Sequence, residues 1–237
     1  MYMFLDAEHK IPARSNVVED LYSKLAKLVT PYFLKTNLTP NHITIISGIF
    51  GVLGALMLIL NQHLYLIVSA IFIQLYAILD LVDGDVARIK NLQSTFGMWL
   101  DIFFDKLIDF LLIFSIAISI YLETSEVIYL IIGLILMGVV FFNQFIMLLN
   151  DTYFKIYREN NAAAEYKEIF SKSLLYKSVF DALTLFRAHL SLQHNTFLLI
   201  VSIFALLDSL KIGIIFILVH GIISLILSII INFIKLR

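Results

Sequence analysis

The sequence contains no cysteine and only 3 prolines among its 237 residues, and charged side chains make up only 15% of it. The lack of cysteine excludes disulfides, iron–sulfur clusters and thiol nucleophiles. The lack of charge argues against a soluble domain, because 60% of the residues are apolar and the mean hydropathy is +0.93. A formal net charge of −1, without a basic stripe, gives no support to nucleic acid as a partner. The composition therefore indicates a protein embedded in a lipid bilayer.

Six long apolar stretches approach the roughly 20 residues that a helix needs to cross about 30 Å of hydrocarbon. They predict an all-α, polytopic membrane protein with six transmembrane helices. No repeat or linker divides the chain, so residues 1–237 are expected to form a single membrane-embedded domain. The purely apolar part of the fifth stretch, 197–207, is too short to cross alone. The expected spans are 43–60, 64–81, 97–121, 127–149, 183–207 and 212–234.

An amphipathic segment precedes the first span, within an N-terminal region, 1–40, that is expected to be cytoplasmic or interfacial. Its apolar side comprises Val17, Val18, Leu21, Leu25, Leu28 and Val29. Asn16 and Glu19 have the spacing of a capping box, and Pro31 is expected to end the helix after about four turns. The pattern favours a helix in the membrane surface over one packed on a soluble partner.

The distribution of positive charge predicts the orientation, because basic loops are retained on the cytoplasmic side. One set of loops, including 151–182, holds nearly all of the 17 basic residues, whereas the opposite loops hold only Lys211. Both termini and the segment 80–95 are therefore expected to face the cytoplasm. In the first span, Gly48, Gly51 and Gly54 would allow another helix to approach closely.

Two stripes of carboxylates lie at the expected cytoplasmic ends of the second and third spans. The first stripe comprises Asp80, Asp83, Gly84 and Ala87, and the second comprises Gly97, Asp101, Asp105 and Asp109. Helical periodicity places the members of each stripe on one face, and consecutive antiparallel helices can bring two such faces together. Ionisable residues within spanning helices are costly and are therefore candidates for function.

Four carboxylates at a membrane boundary need positive charge between them, because repulsion and desolvation both oppose their burial. Hard oxygen ligands select Mg²⁺, Mn²⁺ or Ca²⁺. Two such ions could clamp the attacking and leaving oxygens of a displacement at phosphorus. Gly84 and Gly97 would let a diphosphate or nucleotide approach the backbone, and Ala87 keeps the helix surface open. Arg88 offers a planar fork for a phosphate group.

The residues from Asp80 to Asp105 also carry a recognisable signature. Their spacing, D-x-x-D-G-x-x-A-R, eight residues, then G-x-x-x-D-x-x-x-D, resembles the signature of the CDP-alcohol phosphatidyltransferase family at all eight fixed positions. The resemblance extends more weakly to the general layout. It includes the amphipathic N-terminal helix, the Leu-Thr-Pro-Asn sequence at 38–41, and the position of the motif across the second and third spans.

The resemblance implies a metal-dependent transfer of a substituted phosphoryl group from a CDP-linked donor to an acceptor hydroxyl, with release of CMP. It implies that Asp105 is the general base and that the protein is a homodimer. The implied ligands of two divalent cations, Mg²⁺ or Mn²⁺ and alternatively Ca²⁺, are Asp80, Asp83, Asp101 and Asp105. The implied contacts of the CDP moiety are Gly84 and Arg88, and Ala87 and Gly97 fit the same donor site.

The signature serves two directions of transfer. We favour CDP-diacylglycerol as donor and a small polar alcohol, such as glycerol phosphate, inositol phosphate or serine, as acceptor in phospholipid biosynthesis, because the chain is compact. The alternative is a CDP-amino alcohol that donates to diacylglycerol or another membrane alcohol. A cation transporter is the alternative from another class. It is disfavoured because the acids lie at the ends of the spans rather than at the midplane and no repeat appears.

We expect the acceptor site on the first half of the fifth span. Arg187, Ser191 and His194 form a polar stripe that could face the carboxylates, although an interfacial helix with retained positive charge explains the same residues. Lys106 is either a counterion or acceptor-binding residue of the acidic cluster, or a lysine that snorkels to the interface.

Four further polar positions receive structural expectations. Asp85 is expected to be a cap or surface residue in the cytoplasmic turn, and Asp109 to have a structural or water-binding role. Asn143 and Gln144 are expected to form hydrogen bonds between helices, and His220 to be a satisfied interior histidine.

Overall fold

The computed structural model describes residues 17–159 and 193–236, and these residues form seven helices. The helices are α1 (Val17–Leu34), α2 (Pro40–Ile59), α3 (His63–Ile89), α4 (Thr95–Thr124), α5 (Ile128–Glu159), α6 (His194–Leu206) and α7 (Leu210–Leu236). Five of them, α2, α3, α4, α5 and α7, contain stretches that are long and apolar enough to cross a bilayer. The described residues therefore form the all-α, polytopic membrane fold that the sequence predicts.

The sixth predicted span is described only in part. Helix α6 contains 13 residues, which is too short to cross the hydrocarbon by itself, and residues 183–192 of the predicted span lie outside the described residues. The predicted cytoplasmic segment 151–182 is also described in part. Helix α5 continues past its apolar portion, Ile128–Ile146, to Glu159, so this segment begins as helix.

Helix α1 ends later than the sequence predicts. The expectation that Pro31 ends the helix was wrong, because Pro31 lies inside α1, which continues to Leu34. A proline costs the helix one backbone hydrogen bond. Here the last turn is retained because Phe33 packs against the cluster that contains Val82 and Val86 of α3. Asn16, the predicted cap, lies outside the described residues.

Helix α1 is nevertheless amphipathic, and its buried side contacts α3. Leu21 and Leu28 are exposed on the other side, where they are available to lipid. The hydroxyl of Tyr22 donates to Gln74 Oε1 at 2.5 Å, and burial raises the pKa of Tyr22 to about 12, so the hydroxyl keeps its proton. Gln74 Nε2 in turn donates to Ser202 Oγ at 2.8 Å, which ties α1, α3 and α6 together.

A face of small residues on α2 sets the distances between the central helices. A side chain at Gly48 would overlap the ring of Phe104 in α4, and a Cβ at Gly54 would lie 2.9 Å from Ile73 in α3. Gly51 faces side chains of both helices. Helix α2 thus packs extensively on α3 and α4, whereas α3 and α4 make few close contacts with each other. The predicted close approach to the first span is confirmed.

Polar residues of α5 form the predicted hydrogen bonds between helices. Asn143 Nδ2 donates to a backbone carbonyl of α7, and Asn143 Oδ1 accepts from Ser224 Oγ at 3.0 Å. Gln144 Nε2 donates to a carboxylate of α4 at 2.5 Å. The expectation for His220 was wrong, because its buried Nδ1 has no hydrogen-bond partner among the described residues. Its ring instead stacks on Phe216, with centroids 6.2 Å apart.

We predict that Gly54→Ala destabilises the protein because the added Cβ would also lie 3.3 Å from two backbone atoms of α3, which cannot move independently. Overpacking of this kind costs about 1–3 kcal/mol. Gly138→Ala is the matched control, since no neighbouring atom of the described residues, apart from the helix's own backbone, lies within 4 Å of its added Cβ. Thermal unfolding of the two variants in detergent tests the prediction. Equal midpoints for Gly54→Ala and Gly138→Ala would contradict it.

Candidate active site

Three of the predicted acidic residues converge between α3 and α4. Asp80, Asp83 and Asp101 each place one carboxylate oxygen within 4.8 Å of the others. Asp83 is buried, and the buried Oδ1 of Asp80 has no hydrogen-bond partner among the described residues. Burial of several carboxylates together is unfavourable unless positive charge lies between them. This donor set fits a divalent cation that prefers oxygen ligands.

Asp83 is oriented by a contact from α2. Thr44 is buried, and its Oγ1 donates to Asp83 Oδ2 at 2.5 Å. Sequence reasoning missed Thr44, although it stands four residues after Pro40 and therefore on the same face of a helix that begins there. This hydrogen bond orients the carboxylate of Asp83 within the acidic cluster.

Asp105, the predicted base and fourth ligand, lies outside the set of three residues. Its Oδ1 accepts a hydrogen bond from the hydroxyl of Tyr76 at 3.0 Å and lies 3.3 Å from His194 Nε2. Its roles as a metal ligand and as a base stay predictions. Sequence reasoning missed Tyr76, which stands four residues before Asp80 and extends the first acidic stripe by one turn.

Asp109 has the structural surroundings expected for it. Its side chain is fully buried, its Oδ2 accepts from Gln144 Nε2, and its Oδ1 lies 2.8 Å from His194 Nδ1. Of the predicted acceptor stripe, only His194 is described, at the first position of α6. Arg187 and Ser191 lie outside the described residues.

A cavity of about 460 Å³ opens beside Asp83 and Asp101. Its size suits a small-molecule ligand. Its walls include the first turns of α2 and α4, and the positive ends of these helix dipoles favour an anion such as a diphosphate. The predicted donor residues Gly84, Ala87 and Gly97 line it, as does Asn41 of the Leu-Thr-Pro-Asn sequence. Sequence reasoning missed the lining residues Gln93 and Ser94.

Gly97 stands where the two helix starts meet in this cavity. Its N–H donates to the Oγ of Ser94, the residue that caps α4, at 3.0 Å. A Cβ at Gly97 would lie 2.9 Å from Asn41 Oδ1, at the start of α2. The lack of a side chain therefore keeps these polar groups together and keeps the backbone open to a ligand.

Asp85 differs in position from its prediction, whereas the contact of Arg88 with the CDP moiety stays a prediction. Asp85 lies within α3 rather than in a turn, because the helix continues through the motif to Ile89. Asp85 Oδ1 accepts from Arg88 Nη2 at 2.8 Å, and Asp85 Oδ2 accepts from Thr30 of α1 at 3.3 Å. The guanidinium of Arg88 lies over Gly84, where a Cβ would be 3.3 Å away, and Arg88 does not line the described part of the cavity.

Lys106 is half-buried and forms no ion pair with the acidic residues of the site, Asp80, Asp83, Asp101, Asp105 and Asp109. A lysine that follows Asp105 directly cannot share its helical face. This placement favours the snorkelling interpretation over the counterion one.

Comparison with known proteins places this site in a family. The model of the CDP-alcohol phosphatidyltransferase family matches residues 37–230, which include the cavity, the acidic cluster and α6. The chain belongs to the CDP-alcohol phosphatidyltransferase family. The resemblance in the sequence signature is therefore confirmed over most of the chain.

Two curated relatives share parts of the sequence. The chain is 31% identical over 109 residues to the bifunctional IPC transferase and DIPP synthase of Aquifex aeolicus. The matched residues make up 46% of this chain and 24% of that protein. It is 37% identical over 81 residues to the phosphatidylinositol phosphate synthase of Corynebacterium glutamicum. Here the matched residues make up 34% of this chain and 36% of that protein. The matches thus span well under half the length of either relative.

We predict that Mn²⁺ binding depends on the converging aspartates. Asp80→Asn and Asp101→Asn should each weaken the Mn²⁺ affinity at least about tenfold, since even outer-shell partners of a metal are worth about 10- to 100-fold. Asp208→Asn is the control, because Asp208 lies in the turn between α6 and α7 at the opposite end of the helices. Titration of the full chain by Mn²⁺ paramagnetic resonance measures the affinities. Unchanged binding by Asp80→Asn would contradict the site.

Proposed function

We propose that this protein transfers a substituted phosphoryl group from a CDP-alcohol to an acceptor hydroxyl and releases CMP, in phospholipid biosynthesis. The observation that carries the proposal is the convergence of Asp80, Asp83 and Asp101 beside a cavity walled by two helix N-termini. Acidic residues suit a divalent cation, and helix N-termini suit the phosphates of a nucleotide. Family membership supports the same reaction class.

The donor fits the cavity with its diphosphate toward the acidic residues. Gly84, Ala87 and Gly97 leave room for the nucleotide, while Asn41 and Gln93 offer amide groups to polar atoms of the ligand. Arg88 lies next to Gly84 and can reach a phosphate by a change of rotamer. Asp80, Asp83, Asp101 and Asp105 would hold two Mg²⁺ or Mn²⁺ ions. The ions would neutralise phosphate charge and stabilise the attacking and leaving oxygens.

The transfer needs a base on the acceptor side, and Asp105 is suited to this role. The acceptor oxygen forms a bond to the phosphorus that carries the donor's alcohol group. The bond between that phosphorus and the bridging oxygen breaks, and its electron pair leaves with CMP. The acceptor proton passes to Asp105. Asp105 stands one helical turn, about 6 Å, deeper along α4 than Asp101, where a substrate at the membrane can meet it.

CDP-diacylglycerol is the favoured donor and a small polar alcohol the favoured acceptor. One relative is a phosphatidylinositol phosphate synthase, whose name describes a phosphatidyl product. The exposed aromatic residues Phe96, Trp99 and Phe103, stacked along α4 near the cavity, give acyl chains an apolar surface to follow into the bilayer. We extend the proposal to a homodimer whose active site faces the cytoplasm.

We predict that Asp105→Asn lowers kcat by about 10²–10⁴-fold, the usual contribution of a general base. The rates are compared at saturating metal, because Asp105 is also a proposed metal ligand and loss of the metal alone would lower kcat. The assay is release of labelled CMP with Mg²⁺ or Mn²⁺, with CDP-diacylglycerol or CDP-choline offered against a panel of alcohols. Asp208→Asn serves as the control. A kcat within threefold of the parent would contradict the assigned base.

We predict that the cavity faces the cytoplasm. The parent chain has no cysteine, so a single introduced thiol reports its own side of the membrane. Thr36→Cys lies at the cavity end of the helices and should resist an impermeant maleimide in intact cells, whereas Glu126→Cys at the other end should react. Both residues are exposed, which makes them matched reporters. The reverse labelling pattern would overturn the orientation.

A further inference from the structure

His194 lies between two carboxylates that stand one turn apart on α4. Its Nδ1 is 2.8 Å from Asp109 Oδ1, and its Nε2 is 3.3 Å from Asp105 Oδ1. Both ring nitrogens therefore have a polar partner, which fixes the orientation of the imidazole. The contact with Asp109 thus joins the first residue of α6 to α4.

Tyr76 is the second residue that contacts Asp105 Oδ1. Its hydroxyl donates to Asp105 Oδ1 at 3.0 Å and lies 3.1 Å from His194 Nε2. The two rings meet edge to face, with centroids 5.6 Å apart and an interplanar angle of 86°. Tyr76 is fully buried, so this contact cannot be replaced readily by solvent. Asp105 Oδ1 is thus held from α3 and from α6 at once.

We call the three residues around Asp105, namely Tyr76, His194 and Asp109, the bracket. The Asp109 side of the bracket is buried as well. Asp109 is fully buried and is held by Gln144 of α5, so His194 rests on a partner that is itself fixed. Asp105 Oδ2, in contrast, forms no hydrogen bond with the described residues. One oxygen of Asp105 is anchored, and the second is left for a ligand. Such an arrangement restricts the carboxylate to one orientation.

We propose that His194, braced by Asp109 and assisted by Tyr76, is a positioning residue that fixes Asp105 Oδ2 toward the acceptor hydroxyl. This inference rests on the proposed function, because it assigns a purpose to the bracket only if Asp105 takes the acceptor proton. It replaces the expectation that His194 binds the acceptor itself. The ring acts through Asp105 and need not touch the substrate.

A pair of isosteric substitutions separates the two contacts of the ring. In His194→Gln the amide nitrogen can occupy the place of Nε2 and keep the contact with Asp105. In His194→Asn the amide nitrogen can occupy the place of Nδ1 and keep only the contact with Asp109. His194→Asn should lower kcat by about 10- to 100-fold, as removal of an outer-shell partner does, with donor and acceptor KM within about threefold. His194→Gln should recover most of this loss.

Ser202→Ala is the matched control in the same helix. Ser202 accepts a hydrogen bond from Gln74, so the variant also removes a buried polar contact between α3 and α6, but it does not reach Asp105. It should lower the thermal midpoint and leave kcat unchanged. Tyr76→Phe is a second probe, because it retains the buried ring and removes only the hydroxyl. It should also lower kcat without a change in KM.

The outcomes distinguish this inference from the proposed function. If the parent releases CMP but His194→Asn and Tyr76→Phe both keep a kcat within twofold of it, the positioning role is wrong and the function stands. Equal losses of kcat in His194→Asn, His194→Gln and Ser202→Ala would show that the bracket is merely structural. If the parent itself releases no CMP from any CDP-alcohol, the proposed function fails, and the positioning role fails with it.

Discussion

The close placement of Asp80, Asp83 and Asp101 is the constraint on which the rest of the structure depends. Two unit charges about 4 Å apart repel by about 4 kcal/mol at an effective dielectric constant of about 20, and burial adds a desolvation penalty. The fold therefore needs other packing to hold these groups together. Helix α2 supplies it, since its glycines let α3 and α4 approach it closely and Thr44 holds one carboxylate by a hydrogen bond.

The same packing explains why a cavity exists. Because α2 contacts both α3 and α4, these two helices can be held in place without close packing on each other. The space between them remains open at the end where the acidic residues lie. The starts of α2 and α4 meet at this opening, and Gly97 allows Asn41 and Ser94 to lie together there. One arrangement thus provides carboxylates for cations and helix N-termini for anions on adjacent walls.

The sequence predicted the features that depend on local periodicity. Hydrophobic runs located the spanning helices, and the spacing from Asp80 to Asp105 located three acids that converge. It could not reveal contacts between residues far apart in the chain, such as that of His194 with Tyr76, because periodicity carries no information on which faces pack together. It also erred at Pro31 and Asp85. At Pro31 the helix continues because Phe33 packs against α3. At Asp85 the side chain accepts a hydrogen bond from Thr30 of α1 and lies within a helix rather than in a turn.

The acidic residues have two kinds of surroundings, the cavity and the contacts of Asp105 and Asp109, and these come from different parts of the chain. The residues that line the cavity belong to α2, α3, the start of α4 and the loop before it, and all lie between Pro40 and Asp101. Asp105 and Asp109 instead face His194 of α6 and Gln144 of α5, from later in the chain. The cavity side thus combines signature residues with Asn41, Thr44, Gln93 and Ser94, which the signature does not include. The surroundings of Asp105, the proposed base, depend on α5 and α6, so a change there can alter the proposed acceptor side and leave the cavity intact.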